Sequence, residues 1–289
     1  MSYIDKDLMV RFKLDESSGT TAADSSGNGR NGTLAAFTNT TTCWVGGKRG
    51  GGLDFGQGTD DTCTFAFTDP GDYTTMMAFV RWDSTAGEFP RIIHVGNNNV
   101  PYQLLYLDSS TLNLELGVAF DAPGVSWFKT ADGTVTANGT WRHLAATYDA
   151  SNVSNNPIFY IDGVVSATEV QGRSSGTRRE LATDFGALGQ VYNETNRGLD
   201  GVISDARVYS RILTPQEIFR IANFIEPETP TQTNISREHT INRNLQAANQ
   251  QYRREGVDNE FRLDQTPFSA GIKGVPSLRG RKTAYKVEK

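Results

Sequence analysis

The feature that most constrains this chain is a run of short apolar segments, one every 8 to 12 residues, separated by Gly, Asn, Asp and Ser. Among them are Leu8–Leu14, Cys63–Phe67, Met76–Trp82, Arg91–Val95, Tyr102–Leu107, Leu112–Ala119, Trp141–Tyr148, Ile158–Ile161 and Val202–Tyr209. Many alternate in polarity, as in the stretch Leu112-Asn-Leu-Glu-Leu116. Alternation with a period of two places successive side chains on opposite faces of a strand, one toward a core and one toward water. Evenly spaced strands with turn residues between them predict an all-β, antiparallel sandwich or barrel. At Ile161-Asp-Gly-Val164 the Asp162–Gly163 pair predicts a two-residue hairpin turn with positive φ at both positions.

One helix is expected in the body. Thr214-Pro-Gln-Glu217 reads as a capping box with proline in the first helical position. Ile218, Ile221, Ala222 and Ile225 then form one apolar stripe, expected to seal an open end of the sandwich. The body, 1–225, is followed by a Pro/Thr linker at 226–235 and by a tail at 236–289. In the tail, Ile241, Leu245, Ala248 and Tyr252 make a narrow seam on a polar helix. Beyond it the apolar residues are too sparse to build a core of their own.

Charge divides the chain in the same way. The net charge is −5, but residues 226–289 hold 11 Lys/Arg against 8 Asp/Glu, which leaves −8 for the body. An acidic body with a basic end predicts a partner with an acidic surface. Arg279, Arg281 and Lys282, together with the seam residues Ile241, Leu245 and Tyr252, are the expected anchoring contacts to other protein chains. Nucleic acid is disfavoured by the acidic body, and no segment approaches the 18 apolar residues of a membrane span. The first 13 residues lack the apolar core of a secretory signal. The two cysteines, Cys43 and Cys63, form no disulfide framework or metal cluster; pairing and two buried thiols both remain open.

Four segments together resemble the laminin G-like, concanavalin A-type jelly-roll family. They are Phe12–Gly19 (FKLDESSG) running into Asp24–Leu34 (DSSGNGRNGTL), Gly46–Phe55 (GGKRGGGLDF), Trp141–Asp149 (WRHLAATYD) with Phe159–Val164 (FYIDGV), and Leu199–Glu217 (LDGVISDARVYSRILTPQE). The resemblance covers roughly 8–225 and implies two facing antiparallel sheets, a jelly-roll sandwich. It also implies a domain that binds glycans or proteins, often with a calcium ion at one edge.

Calcium takes six to eight oxygen ligands. The candidate donors are Asp24, Asn31 and the carbonyl of Gly29, with Asp205 brought to them by the resemblance. The alternative is a loop in which Asp24 bonds its own backbone amides in an Asx turn. For glycans, the candidates are Trp82, Trp127 and Tyr192, a loop-borne aromatic platform whose alternative is core-edge packing. Phe79 is expected to be buried in its strand, and Trp44 and Trp141 belong to the core. His143 reads as packed and His94 as a strand-end residue beside a loop.

Catalytic patterns are missing. The glucanases of this fold carry Glu-x-Asp-x-x-Glu on one strand, whereas Glu115 stands alone between Leu114 and Leu116. Retaining hydrolysis needs two carboxyls about 5–5.5 Å apart. The sequence therefore predicts a non-enzymatic attachment module. It fits a virion component, a phage capsid decoration or appendage protein anchored by its tail and displaying a jelly roll at the virion surface. The alternative is a free, extracellular, lectin-like protein; self-association is left open by the tail seam.

Overall fold

The computed structural model describes residues 3–56, 60–97, 100–122, 124–180, 185–190 and 197–225, and these belong to one compact unit, Met1–Pro227. The tail residues named above, and Tyr192, lie outside the described residues. Among the described residues there are eighteen strands and one α-helix. In chain order the strands are β1 (Leu8–Phe12), β2 (Thr21–Ala22), β3 (Gly32–Ala35), β4 (Trp44–Arg49), β5 (Gly51–Phe55), β6 (Thr62–Ala66), β7 (Tyr73–Trp82), β8 (Arg91–Asn97) and β9 (Val100–Asp108). They continue with β10 (Asn113–Ala122), β11 (Val125–Lys129), β12 (Trp141–Asp149), β13 (Ile158–Ile161), β14 (Val164–Ser166), β15 (Glu169–Gly172), β16 (Ser175–Arg178), β17 (Phe185–Leu188) and β18 (Gly201–Tyr209).

They assemble into two antiparallel sheets. An eight-stranded sheet runs β14-β13-β12-β7-β18-β5-β4, with β1 also on β18. A ten-stranded sheet runs β15-β11-β10-β9-β8-β17-β6-β3-β2, with β16 also on β10. Neighbours distant in sequence, such as β7 beside β18, are the crossovers of a jelly roll. The two-sheet antiparallel sandwich is therefore the architecture the alternation predicted.

The strand register sorts the side chains. On β7, Met76, Ala78, Val80 and Trp82 enter the main core between the sheets, with Leu144 and Ala146 of β12 and Val208 of β18. The alternate residues Met77, Ala145 and Tyr209 point to the other face of the eight-stranded sheet. There they meet Ile218 and Ile221 of helix α1 (Pro215–Ala222), with Ile4 and Leu8. The helix thus covers an outer sheet face rather than an open end of the sandwich. Of its expected stripe, Ile218 and Ile221 are buried and Ala222 is half-buried, whereas Ile225 lies past the end of the helix and is exposed.

The local signals hold. Thr214 Oγ1 accepts from the Glu217 amide at 3.2 Å, and Glu217 Oε2 accepts from the Thr214 amide at 2.8 Å, so the capping box is complete. Asp162 and Gly163 have φ of 53° and 82°. Helix α1 packs over this turn, and a Cβ on Gly163 would lie 3.0 Å from the Phe219 Cα. Cys43 and Cys63 are both free and buried. Burial pushes both thiols up, Cys63 far above its usual value.

Three expectations need correction. Trp82 is 1% exposed in the main core, because its position on β7 shares the inward parity of Met76 and Val80. Trp141 has the opposite parity; it is only partly buried on the outer face of the eight-stranded sheet, with the Arg81 guanidinium 6.0 Å from its ring centroid. His94 is buried within β8, edge-on to Phe185, not at a loop margin. Phe79 is buried as expected, on the outer face, stacked on Phe224 at 5.2 Å.

Candidate functional site

On β10, Leu114, Leu116 and Val118 face the core, so Glu115 and Gly117 face outward. Register then brings neighbours to them. Glu115 pairs with Tyr106 on one side and Lys129 on the other, and Gly117 pairs with Trp127. A Cβ on Gly117 would lie 2.3 Å from Trp127 Cζ3. Glycine is required there because the indole lies across the sheet surface. Trp127 meets Tyr106 edge to face, with centroids 5.8 Å apart and planes at 86°. Arg91 sits 5.2 Å from the Tyr106 centroid, and Arg197 sits 5.4 Å from Phe89, whose ring meets Tyr106 edge-on.

Glu115 is 2% exposed, and both its oxygens are engaged. The Tyr106 hydroxyl donates to Oε2, and Gln171 Nε2 donates to Oε1 at 3.0 Å. Burial raises the carboxyl above the ordinary glutamate range, although the Tyr106 and Gln171 donors oppose it. The nearby acids are engaged elsewhere: Asp108 accepts from Ser110, and Asp132 and Glu169 pair with Lys129. The Glu115 carboxylate is therefore a buried acceptor that orients Tyr106 and Gln171. Chemically, the face offers an apolar indole bordered by the exposed Gln171 amide and by the Arg197 guanidinium over Phe89. That combination suits a ligand with C–H faces and hydroxyl edges. Trp127 was singled out in the sequence as loop-borne, but it stands within strand β11, because its backbone pairs with Gly117 of β10. Glu115 was legible as outward-facing, but its partners Tyr106 and Gln171 were not.

The four candidate metal ligands fall into two networks joined through Arg11. Asp24 Oδ1 accepts from the Arg11 and Ser26 amides at 3.1 and 2.9 Å. Its Oδ2 accepts from Ser26 Oγ at 2.8 Å and from the Arg30 amide at 2.9 Å. Asn31 Oδ1 accepts from the Asp24 amide at 3.0 Å, and Gly29 turns the loop at φ 71°. Burial works against the Asp24 charge, but the Ser26, Arg30 and Arg11 donors outweigh it and lower the carboxyl. These are the contacts of the Asx-turn alternative.

Asp205 stands elsewhere, at a bulge in β18 between Ser204 and Arg207, with φ 48°. Its carboxylate binds Arg207 Nη2 at 2.6 Å and Arg11 Nε at 2.8 Å, with Arg49 Nε at 3.6 Å. Arg11 stands between the two acids, giving its amide to Asp24 and its guanidinium to Asp205. Carboxylates so filled with N–H and O–H donors, one of them beside three guanidiniums, do not fit a calcium ion. Among the described residues no group of three or more His, Cys, Asp or Glu has metal-holding geometry.

A family profile described as the concanavalin A-like lectin/glucanases superfamily matches residues 56–219, more than half of the chain. No curated protein sequence matches it. The fold is similar to the receptor-binding domain of botulinum neurotoxin C/D mosaic serotype, with TM-score 0.57, 12% identity, and 76% of this chain and 52% of that one covered. It is similar to the binding domain of Paraclostridial Mosquitocidal Protein 1, with TM-score 0.54, 14% identity, and coverage of 76% and 53%. It is also similar to the Trypanosoma rangeli sialidase, with TM-score 0.51, 14% identity, and coverage of 75% and 32%. The chain spans about half the length of the first two and a third of the last. At such identities the likeness is one of fold. Together with the profile match and the crossed antiparallel sheets, it places the chain in the concanavalin A-like lectin/glucanase superfamily.

Proposed function

We propose that this chain is a non-enzymatic binding module whose jelly roll takes a glycan on the outer face of the ten-stranded sheet. The observation that carries this reading is Trp127 laid over Gly117 beside the Tyr106–Glu115–Gln171 hydrogen-bond chain. A sugar ring packs its C–H face on the indole while Gln171 and the flanking cations meet its hydroxyls. Glu115 takes no catalytic part in this reading: Tyr106 and Gln171 occupy its oxygens, and its acidic neighbours are paired with other residues. Receptor-binding and binding domains are among the structures of similar fold, which supports a binding role. A glycan array followed by calorimetry tests it. Trp127→Ala should lower affinity for the best glycan at least tenfold and leave the melting temperature nearly unchanged. An array without signal, or binding indifferent to Trp127→Ala, removes the reading, and release of reducing sugar would make the chain an enzyme instead.

The sequence supports a second layer. In it, the module is anchored through residues 236–289 to other chains of a large assembly, as a virion decoration or appendage protein. The Pro/Thr linker and the six basic residues against one acid from Lys273 onward support it. A chain cut after Ile225 should then keep a cooperative melt and its glycan affinity but lose the particle. Continued particle binding by the cut chain would refute anchoring through the tail. Calcium has no assigned part; calorimetry with calcium chloride should give no heat that Asp24→Ala abolishes.

A further inference from the structure

A second site lies on the outer face of the eight-stranded sheet. Between the N-terminal turn Tyr3–Asp5, helix α1 and the β4–β5 hairpin is a cavity of about 400 Å³. Five of its lining side chains are cationic: Arg11, Lys13, Arg49, Arg207 and Arg220. Three carboxylates also line it, so the surplus is two positive charges. The body as a whole is acidic, at −8 over residues 1–225, so this concentration runs against its background.

Three of the cations, Arg11, Arg49 and Arg207, are held in place by Asp205. Arg207, its side chain 3% exposed, forms the floor with Asp205, at 1%. Arg11 and Arg49, at 17% and 24%, rise beside it, and Lys13 and Arg220 are exposed at the opening. Asp205 adopts φ 48° in the middle of a central strand, a conformation that costs energy for any residue with a Cβ. Two residues before Arg207, Asp205 shares its face, and there its carboxylate gathers three guanidiniums. One negative charge against three positive ones aligns them without neutralising them. Like charges collected in a partly enclosed cavity repel, and a bound anion relieves that repulsion. Guanidinium forks match the oxygen spacing of tetrahedral oxyanions.

We propose that this cavity is an oxyanion site that takes a sulfate or phosphate group, free or as an ester, between Arg11, Arg49 and Lys13. It lies on the opposite side of the sandwich from Trp127 and stands independently of glycan binding there. The test is calorimetry on the full chain with sodium sulfate and sodium phosphate, ionic strength being held constant with sodium chloride. Galactose 6-sulfate and glucose 6-phosphate serve as the ester arms. Saturable binding of one anion per chain is expected, weakened at least tenfold in a Lys13→Gln/Arg49→Gln double variant. A tighter sulfate ester assigns a sulfated ligand, and a tighter phosphate ester a phosphorylated one. If only the inorganic ions bind, the ligand is the free ion. In the unaltered protein, the Nε–H resonances of Arg11 and Arg49 should move on titration, a readout that does not depend on how the variant folds. No saturable binding of any of the four probes, or resonances that stay fixed, overturns the proposal.

Discussion

Replacing Asp205 by asparagine removes one charge while keeping the side-chain shape and a residue type that tolerates the left-handed backbone at φ 48°. The Asp205 carboxyl is buried, which alone would raise it, but Arg207 and Arg11 outweigh burial and bring it from 3.8 to about 2. At about 1.36 kcal/mol per pH unit, that drop is worth about 2.5 kcal/mol of folding stability. The variant also leaves Arg207 buried without its counter-ion, and breaking a buried pair costs about 3–5 kcal/mol. A loss of about 2.5–5 kcal/mol in a domain of this size lowers the melting temperature by on the order of 10 °C. Because the folded value is depressed, the advantage of the parent is complete above 3.8 and lost as pH falls through about 2. Thermal melts followed by circular dichroism from pH 7 to pH 2 measure both quantities. Melting temperatures within about 2 °C at pH 7, or a deficit that persists undiminished at pH 2, would refute the charge-pairing account.

Gly163→Val should destabilise the domain by at least about 2 kcal/mol, because a β-branched residue resists φ 82° and its Cβ would press on Phe219 and Ala222 of helix α1; an unchanged melt would show that the turn and helix yield freely. Thr214→Ala should cost about 1 kcal/mol by opening the capping box, read as a fall of a few degrees in melting temperature.

Much of this molecule could be read in its sequence where the physics is local. Alternation fixed which residues of each strand share a face, and so put Glu115 outside while Leu114 and Leu116 went in. The capping box at Thr214–Glu217 and the Asp162–Gly163 turn follow from contacts within four residues, and both formed as expected. The four-segment resemblance named the sandwich. What alternation lacks is the absolute sense: it sorts parity but does not say which parity meets the other sheet. Trp82 and Trp141, both expected from local context, therefore took the opposite places.

The sites were decided by pairing at long range. Arg11 reaches Asp205 across 194 residues and Gln171 reaches Glu115 across 56, distances over which no spacing rule operates. The bulge in β18 is equally invisible along the chain. It departs from strict alternation, so that Ile203 and Ala206, three residues apart, both enter the core. By itself, then, the sequence determined the class of fold, its turns and its helix cap, because each depends on neighbours a few bonds away. Only the tertiary structure decided that Asp24 serves an Asx turn while Asp205 gathers arginines. A side chain's partners are set by which strands lie side by side, and that ordering is a property of the closed sandwich rather than of any segment in it.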